Sequence, residues 1–523
     1  MVALFHMLLR CVKVTAKCIG DNVFPNKDEE KPKIFNDPVH GHIVMPELCV
    51  KIIDTPQFQR LRYIKQLGGC YFVYPGAAHN RFEHSIGTAH LAGCLVESLK
   101  SRQRELDITD KDVLCVKIAG LCHDLGHGPF SHLFDKSFIP KVSKEKWKHE
   151  KASLAMVDLI FENLKSKDPN NFKLKDEDVV FIKELIDGPT EGSNGDWPYK
   201  GREKEKGFLY QIISNKESGI DVDKWDYFAR DCYHLGMKST FDHMRCIKMA
   251  RAIRVKEDNN KWHICFRDKE GHNIYEMFHV RSILHRRAYQ HKTSNAVELM
   301  ITDALVKADP YLLFEGKDGK KLKMSEAIHD MVAYTKITDR VYHQILLASD
   351  PQLQEAKQIL ERIECRELYR LIGEHTTEKD ISCEDVDKED ILEKAKMSEV
   401  KKEDIILDKV KFDYGRKKED PVKNVYFYEK KTPDEASGFK EDNKVSYMLP
   451  KTFLEWKIRL YLRKTELDEN KTKQLKDAGF GGWFKQKVDE KQERAASSSG
   501  AAGREDETAE KKPEAHDGAP SNP

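Results

Sequence analysis

The chain has 523 residues, with 89 Lys and Arg against 88 Asp and Glu, and it is 39% hydrophobic and 34% charged. This length can bury several domain-sized cores, and a net charge of +1 excludes binding to nucleic acid or anionic lipid by overall charge alone. The 12 cysteines form no C-x-x-C pair, which argues against a zinc finger or disulfide framework and favours a reducing compartment. The sequence has no apolar run of about 18 residues that would predict a transmembrane helix.

Four regions are predicted along the chain: a variable extension over residues 1–32, a helical core over 33–310, a second lobe over 311–485 and a tail over 486–523. The first twenty residues have an apolar helical face and no acid before Asp21, as in a transit peptide. We favour an ordinary variable extension, which shows the same features. Within the core the helical periods are strong and chain breakers are few.

Three helices of the core have clear sequence signals. One begins near Arg81 and carries apolar and small residues at helical spacing. The second begins at Thr109, which predicts a capping box with Asp112, and it ends at Gly126. The third spans residues 221–231. These signals predict a mainly α fold.

The second lobe is less periodic and mixes both charges densely. Residues 374–411 predict exposed helices and loops, whereas short alternating runs in 422–449 predict a small sheet. From about Lys485 the sequence is rich in Ala, Ser, Gly, Glu and Lys and predicts a disordered tail. We therefore expect a helical core with a smaller mixed α/β C-terminal lobe.

The residues most suited to catalysis lie in the segment 121–132. An apolar stretch, which we expect to be buried, ends there in the adjacent residues His123 and Asp124. Burying this pair is costly unless a cation binds it. A mixed His and carboxylate set suits zinc, iron or manganese rather than calcium. The segment therefore predicts a divalent transition-metal site.

A catalytic metal usually has further protein ligands and an open position for water. His84, at the start of an apolar helix, and Asp223, on a helix with an acid-rich face, are the further candidates. One such His alone is usually a hydrogen-bonded core residue. The order His, His-Asp, Asp over three helices argues against that interpretation, and it resembles the HD superfamily of metal-dependent phosphohydrolases.

Three more imidazoles exceed the needs of metal ligation. His127, His132 and His149 are of a type that titrates near neutrality, so one of them is a candidate general acid for a phosphate ester. Asp135 could orient that imidazole. The residues alone leave open which of the three donates the proton.

Basic and aromatic residues predict a polyanionic substrate. Tyr227 and Asp231 share a helix face, and Lys224 precedes them. Arg81 lies near the first candidate ligand, and residues 281–292 form a dense basic and aromatic cluster. Such clusters are often only a solvated surface, but beside a metal site this one favours the binding of a triphosphate.

Five long motifs resemble one family within that superfamily. They occupy residues 54–68, 79–85, 120–132, 221–231 and 285–292. They are similar to motifs of the vertebrate SAM-and-HD-domain deoxynucleoside triphosphate triphosphohydrolases, and the resemblance extends from about Lys33 to Leu460. It implies attack of water on the α-phosphorus of a dNTP, which yields a deoxynucleoside and intact triphosphate and controls dNTP pools.

The resemblance implies a role for each matching residue. The metal ligands would be His84, His123, Asp124 and Asp223. His149 would be the general acid with Asp135 behind it, and His127 and His132 would contact the reacting phosphate. The residues that would bind the phosphates and the sugar are Gln66, Leu67, Arg81, Lys224, Tyr227, Asp231, Arg281, Tyr289 and Gln290.

The family is also activated by nucleotides, GTP or dGTP first and any dNTP second, with Mg²⁺ accompanying them, and this assembles a homotetramer. The matching positions are Lys33, Ile34, Asp54, Gln59, Arg62, Val73, Arg245, Arg267, Lys269, Asn273, His291, Lys292, Arg366, Arg370 and Lys430. By residue type, Asp54 suits the guanine edge and Arg62 suits a phosphate. Without the resemblance, these residues would be taken for ordinary surface charges.

Several features depart from the family pattern. Ordered sequence is expected to begin near Lys33, which leaves no room for an N-terminal SAM domain. The only Thr-Pro pairs are at residues 55–56 and 432–433, so the tail phosphorylation switch is expected to be missing. Location in the nucleus or cytoplasm, and a role in restricting viruses, therefore rest on less of the sequence than catalysis does.

Two other functions stay open from the sequence. One is another HD phosphohydrolase, such as a phosphodiesterase or nucleotidase, and the other is a catalytically silent scaffold that binds nucleic acid. A scaffold would be expected to have lost a metal ligand, and the sequence has all four. We also expect weak binding of single-stranded nucleic acid and no binding to membranes.

Overall fold

Helices dominate the computed structural model, which describes residues 32–170, 172–189, 197–415, 418–439, 450–464 and 467–502. This confirms the predicted mainly α class. No helix among these residues is long and apolar enough to cross a membrane. The α-helices are Glu47–Ile53, Pro56–Gln59, Arg81–Arg102, Asp110–Cys122, Ile139–Val142, His149–Lys167, Asp176–Asp187, Val222–His234, His243–Met249, Gly271–Leu284, Lys292–Ala308, Met324–Ala327, Met331–Tyr334, Arg340–Leu346, Gln354–Glu364, Asp385–Lys394, Glu469–Gln474 and Gly482–Ala502.

The three helices with the clearest sequence signals form where they are predicted. Arg81–Arg102 begins with a capping box, and Asp110–Cys122 begins with the predicted one. Val222–His234 is capped by the side chain of Asp221, which accepts a hydrogen bond from a backbone N–H in the first turn. Local capping therefore fixes the start of each helix that carries a candidate ligand.

The first of these helices packs against both of the others. Gly120 of the second lies so close to the first that a Cβ on it would be 3.1 Å from the Cα of Ala89. A side chain at this position would push the two helices apart. The close approach brings the helix that carries His84 next to the helix that ends at His123.

The strands of the described residues form small sheets. They are β1 (Lys33–Asp37), β2 (Gly41–Met45), β3 (Ala250–Val255), β4 (Lys261–Arg267), β5 (Leu313–Glu315), β6 (Lys321–Lys323), β7 (Arg370–Thr377), β8 (Ile405–Asp413), β9 (Tyr426–Tyr428), β10 (Ala436–Gly438) and β11 (Leu454–Leu462). Strands β1 and β2 pair as an antiparallel hairpin, and β5 pairs with β6. A third sheet has the order β7-β11-β8, and a fourth has the order β10-β9-β4-β3.

The small sheet predicted over residues 422–449 forms in its described part, with β9 and β10 antiparallel. It does not stand alone in the second lobe, because β9 also pairs in parallel with β4 of the core. Residues 440–449 lie outside the described part of the chain. The alternating pattern predicted the strands of this sheet. It could not predict the pairing of β9 with β4, because β4 lies far away along the chain.

The prediction that residues 374–411 form only exposed helices and loops is wrong. Strands β7 and β8 lie there, on both sides of β11, and helix Asp385–Lys394 packs with them around a second hydrophobic core. Ile372, Ile391 and Ile458 are among its buried members. The larger core draws most of its residues from Ile43 to Tyr369 and also includes Ile406, Val422, Val425 and Tyr461. The predicted domain boundaries themselves stay a prediction.

The predicted extension and tail fall mostly outside the described residues, as all of 1–31 and 503–523 do. The helix Gly482–Ala502 nevertheless occupies the start of the segment predicted to be disordered. Glu, Lys, Gln and Ala favour helices as much as they favour disorder, so composition alone did not distinguish the two.

Candidate metal centre and active site

The four candidate ligands converge on one point. His84 Nε2 lies 3.1 Å from Asp223 Oδ1 and 3.3 Å from Asp124 Oδ2. His123 Nε2 lies 3.3 Å from Asp223 Oδ1 and 3.4 Å from Asp124 Oδ1. The side chain of Asp223 is 30% exposed, whereas those of the other three are nearly buried. The centre is therefore enclosed on three sides and accessible from the side of Asp223.

The donor atoms of this cluster fit a divalent metal. His123 Nδ1 lies 2.8 Å from the carbonyl oxygen of Gly120, which can only accept, so Nδ1 carries the hydrogen. His84 Nδ1 likewise faces a carboxylate oxygen of Asp226 at 2.7 Å. Both Nε2 atoms are buried and have no hydrogen-bond partner in the described structure. His84, His123 and Asp223 present three ligand atoms within 4.8 Å of one another, and the Asp124 carboxylate lies 3.3 Å from His84 Nε2 and 3.4 Å from His123 Nε2. Two imidazole nitrogens with these carboxylates can bind a cation of the zinc, iron or manganese type.

A cluster of imidazoles adjoins the metal centre. The rings of His127 and His149 stack with their centroids 3.8 Å apart, and His127 Nε2 lies 3.3 Å from Asp124 Oδ1. His149 Nδ1 lies 2.8 Å from Asp135 Oδ2, and His132 Nδ1 lies 3.4 Å from the other oxygen. The predicted partnership of Asp135 with an imidazole is thus present in the structure.

Their surroundings shift the pKa values of three members of this cluster, His127, His132 and Asp135. Burial lowers the pKa of His132 to about 4, and burial together with Arg81 and His149 lowers the pKa of His127, so both are neutral. Burial raises the pKa of Asp135, but hydrogen bonds with the imidazoles of His132 and His149 outweigh burial and lower it overall. Asp135 therefore stays ionised.

The basic residues predicted to bind phosphates border this centre. Arg81 Nη1 donates to Asp124 Oδ2 at 2.6 Å. Arg281 Nη1 lies 3.5 Å from the hydroxyl of Tyr227. Lys224 Nζ pairs with Asp221 at 2.7 Å. These cations are held near the candidate ligands by groups of the protein.

Three of the residues predicted to frame a sugar, Gln66, Asp231 and Tyr289, are connected through His79. The Tyr289 hydroxyl donates to Asp231 Oδ2, and His79 Nε2 lies 2.7 Å from Asp231 Oδ1. The backbone N–H of Gln66 donates to the carbonyl of His79. Leu67 precedes the short helical turn Gly68–Phe72, and Gln290 accepts a hydrogen bond from Asn295. His79 lies in the motif of residues 79–85, but the sequence did not predict its contact with Asp231.

Comparison with known proteins gives one answer. The HD domain family model matches residues 81–231, which contain all four candidate ligands. The chain is 54% identical over 448 residues to the deoxynucleoside triphosphate triphosphohydrolase SAMHD1 of Gallus gallus, an alignment that covers 83% of this chain and 72% of that protein. The chain belongs to the SAMHD1 family.

Other relatives agree. The SAMHD1 of Homo sapiens is 51% identical over 447 residues, covering 83% of this chain and 71% of its own length. A SAMHD1 homolog of Dictyostelium discoideum is 36% identical over 449 residues, covering 85% and 80% respectively. As a member of the SAMHD1 family with an HD domain, the protein is a divalent-metal-dependent hydrolase, and its His and Asp cluster could hold the metal.

In this SAMHD1-family chain, the turn that follows the His-Asp pair is strained and is held by a residue that the sequence did not reveal. Phe130 and Ser131 both have φ of 58°, which is unusual for residues other than glycine. Asp339 accepts the backbone N–H of Phe130 at 2.7 Å and that of Lys65 at 2.8 Å. Asp339 thus ties the strained turn to the segment that carries Gln66.

The sequence could not show this role for Asp339. An Asp directly before a helix, here Arg340–Leu346, is typical of a side-chain cap. The structure shows no such cap hydrogen bond, because the carboxylate points to Phe130 and Lys65 instead. The partners lie more than two hundred residues away, so no local pattern could identify them.

Asp339→Asn should destabilise the protein and disturb the active site. The amide has only one oxygen, so one of the two buried N–H groups loses its acceptor, which costs about 1–3 kcal/mol. Urea unfolding measures this change. Asp350→Asn is the control, since Asp350 accepts one exposed N–H and its replacement should cost about 1 kcal/mol or less. Equal losses for the two variants would contradict the role given to Asp339.

The positions predicted to bind the guanine nucleotide lie near one another in sequence or on the first hairpin. Lys33 and Ile34 are exposed on β1, and Ile34 is 57% exposed. Asp54 is exposed just after the helix Glu47–Ile53. Arg62 Nε donates to Gln59 Oε1 at 2.8 Å. The structure thus joins Gln59 with Arg62 and leaves the Asp54 carboxylate at the surface.

The positions predicted to bind the second nucleotide lie on several elements. Arg245 and Asn273 both contact Glu270. Arg366 donates to the carbonyl of Phe72, directly before Val73. The remaining positions are Arg267, Lys269, His291, Lys292, Arg370 and Lys430. Their assembly into a nucleotide site stays a prediction.

Proposed function

We propose that this protein is a deoxynucleoside triphosphate triphosphohydrolase, which cleaves a dNTP to the deoxynucleoside and intact triphosphate. The observation that carries the proposal is that two buried, unpartnered Nε2 atoms lie within 3.4 Å of the carboxylates of Asp124 and Asp223, directly beside an imidazole cluster. It supports hydrolysis of a phosphate ester, and the named activity of the relatives gives the substrate class. The proposed metal ligands are His84, His123, Asp124 and Asp223.

The proposed metal is zinc, iron or manganese, because imidazole and carboxylate ligands suit this group. When bound, such an ion would supply Lewis acidity and would lower the pKa of a water molecule. Mg²⁺ is expected only with the bound nucleotides. The exposed side of Asp223 would admit water and substrate.

The side chains around the metal centre would bind and protonate the substrate. His149, held by Asp135, would donate a proton to the departing 5′-oxygen of the deoxynucleoside. His127 and His132, both neutral, would hydrogen-bond to the reacting phosphate. The residues proposed to bind the triphosphate oxygens are Arg81, Lys224, Tyr227 and Arg281.

The sugar would lie against Gln66, Leu67 and the chain of Tyr289 and Asp231, with Gln290 beside it. Both oxygens of Asp231 already accept hydrogen bonds, one from Tyr289 and one from His79. A ribose 2′-hydroxyl packed against the side chain of Leu67 and the ring of Tyr289 would be buried without a partner, which is costly. This arrangement supports a preference for deoxyribose.

We further propose activation by GTP or dGTP and then by a dNTP, with assembly of a tetramer. The fifteen positions given above for the activators are the proposed sites, and the exposed carboxylate of Asp54 supports the guanine contact. The cellular consequences, which are control of dNTP pools, virus restriction and residence in the nucleus or cytoplasm, are proposed on family membership alone.

The test of the function is turnover of dGTP with and without GTP, with detection of triphosphate and metal analysis of the same sample. Release of intact triphosphate is the expected result. Pyrophosphate or monophosphate as product would contradict it and favour another HD phosphohydrolase. A scaffold that binds nucleic acid would be favoured if a variant with alanine at both His123 and Asp124 kept the full biological effect.

Asp54→Ala should weaken activation by GTP at least about tenfold, since losing a hydrogen bond to a charged group costs about 1.5–3 kcal/mol. The metal content should not change, because Asp54 lies outside the His and Asp cluster. The GTP concentration for half-maximal dNTP hydrolysis measures the effect. Glu162→Ala, at another exposed acid, is the control. Loss of metal from the Asp54 variant would show that the assignment of the site is wrong.

A further inference from the structure

A buried charged network lies directly behind His84. Asp226 Oδ2 is 2.7 Å from His84 Nδ1, on the far side of the ring from the cluster of candidate ligands. Arg230 binds both oxygens of Asp226, with Nε and Nη2 each at 2.9 Å. The side chains of His84, Asp226 and Arg230 are all completely buried. The ring of His84 is thus held from behind by a carboxylate that is itself fixed.

The network continues into the hairpin of β1 and β2. Arg230 Nη1 donates to Asp37 Oδ2 at 2.9 Å. The other oxygen of Asp37 accepts the backbone N–H groups of Val39 and His40, both at 2.9 Å. His40 Nε2 then returns to Asp226 Oδ1 at 2.7 Å. The turn of the hairpin therefore closes a ring of contacts around Asp226.

Helix Arg81–Arg102 has a gap that this network fills. A Cβ on Gly87 would lie 1.9 Å from Asp226 Oδ1 and 2.4 Å from Arg230 Nη2. Gly87 follows His84 by three residues, so it lies beside it on the same helix face. Only a glycine at position 87 lets the Asp226 carboxylate and the Arg230 guanidinium lie directly against the helix.

A buried charged group such as the Asp226 carboxylate is costly, so its presence calls for a physical explanation. Asp226 is completely buried, yet its carboxylate pairs with the Arg230 guanidinium and contacts the imidazoles of His40 and His84. Buried ion pairs are often no more stabilising than apolar packing of the same volume. A carboxylate that receives Nδ1–H of an imidazole does have a specific effect, since it fixes the tautomer and aims the other nitrogen.

We propose that Asp226 is the positioning residue of His84, and that the β1–β2 hairpin, through Asp37 and His40, is part of the support of the metal centre. This proposal rests on the proposed role of His84 as a metal ligand. Asp226 fixes the ring so that Nε2 points at Asp124 and Asp223. Asp37 and His40 lie outside residues 81–231, so the support of the centre extends beyond the matched HD domain.

Metal retention tests the proposal. Each variant is loaded with metal, and the loss of metal to a chelator is followed by elemental analysis. Asp226→Asn should lose metal about 10–100-fold more readily than the unaltered protein, as is usual when the partner of a ligating His is removed. Asp37→Asn should change in the same direction but less, because it acts through Arg230.

Glu184→Gln is the matched control. Glu184 is a buried carboxylate that accepts the N–H groups of Lys200 and Gly201 and the Tyr210 hydroxyl, away from the cluster of candidate ligands. Its replacement should lower the melting temperature without changing metal loss. In the Asp226 and Asp37 variants, by contrast, the stabilisation that metal adds to the melting temperature should shrink.

Unchanged metal loss in a folded Asp226→Asn protein would overturn the proposal. If that variant does not fold, Asp37→Asn decides, because the proposal requires Asp37 to hold Asp226 through Arg230, and unchanged metal loss there would overturn it. A parallel His84→Ala sample separates the two levels of inference. Metal retained by His84→Ala would refute the proposed ligand set, whereas metal lost from it but kept by the Asp226 and Asp37 variants would refute only the positioning role.

Discussion

Replacing both His123 and Asp124 with alanine should abolish dNTP hydrolysis and remove the bound metal. The two residues supply one Nε2 atom and one carboxylate to the cluster, and Asp124 also faces His84 at 3.3 Å. A catalytic metal is worth several kcal/mol of transition-state stabilisation, so the rate should fall by at least about a thousandfold. Triphosphate release and metal content, measured on the same sample, check both parts of the prediction.

The same change has a structural consequence that the experiment must separate. Arg81 donates to Asp124 at 2.6 Å in a buried position, so removing the carboxylate leaves its charge unpaired. Circular dichroism and thermal unfolding show whether the variant is still folded. Asp110→Ala is the control, because Asp110 lies on the same helix with a fully exposed side chain. A folded double variant that kept its metal and its activity would refute the proposed centre.

The sequence predicted those parts of the centre that depend on short segments of chain. The capping box at Thr109 and the run up to His123 are local signals, and they give the helix and the pair at its end. His84 and Asp223 were identified because each begins a helix with its own signal. Their convergence needed only that the three helices pack together.

The supporting residues could not be predicted in this way. His40 and Asp226 are 186 residues apart, and Asp339 is 209 residues from Phe130. Each of these acids sits where an exposed helical face or a helix cap is the ordinary expectation. Only tertiary packing shows that Asp226 contacts His84 and that Asp339 contacts the backbone of Phe130 and Lys65.

In the second lobe, the dense charge of residues 374–411 led to the wrong prediction that this segment is exposed. Glu374 on β7 binds Lys457 and Arg459 of β11 across the sheet, each at 2.6 Å. Arg459 is only 4% exposed. Cross-strand pairing lets charged residues lie on a sheet whose other face is a core, and composition alone cannot reveal such pairs.

The residues alone left open which imidazole is the general acid. The geometry supports His149, since Asp135 lies closer to His149 than to His132.

His149→Ala should lower kcat for dGTP by about 10²–10⁴-fold, the usual contribution of a general acid, and should leave the metal bound. The ring of His149 is held by Asp135 and stacks on His127, but it makes no contact with His84, His123 or Asp223 in the described structure. The KM should change little, because the proposed phosphate contacts come mainly from Arg81, Lys224 and Arg281. Steady-state kinetics with metal analysis measures this separation, and His272→Ala, at an exposed His, is the control.

A substrate with sulfur in place of the 5′-oxygen tests the role of His149 directly. A thiolate is a far better leaving group than an alkoxide, since a thiol has a pKa of about 8.5, and it needs no proton from the enzyme. The His149→Ala variant should therefore hydrolyse the 5′-thio analogue of dGTP at nearly the rate of the unaltered protein. Asp135→Asn should show a smaller loss with dGTP and the same recovery, because Asp135 acts by orienting the imidazole. If the His149 variant were equally slow with both substrates, His149 would not be the proton donor.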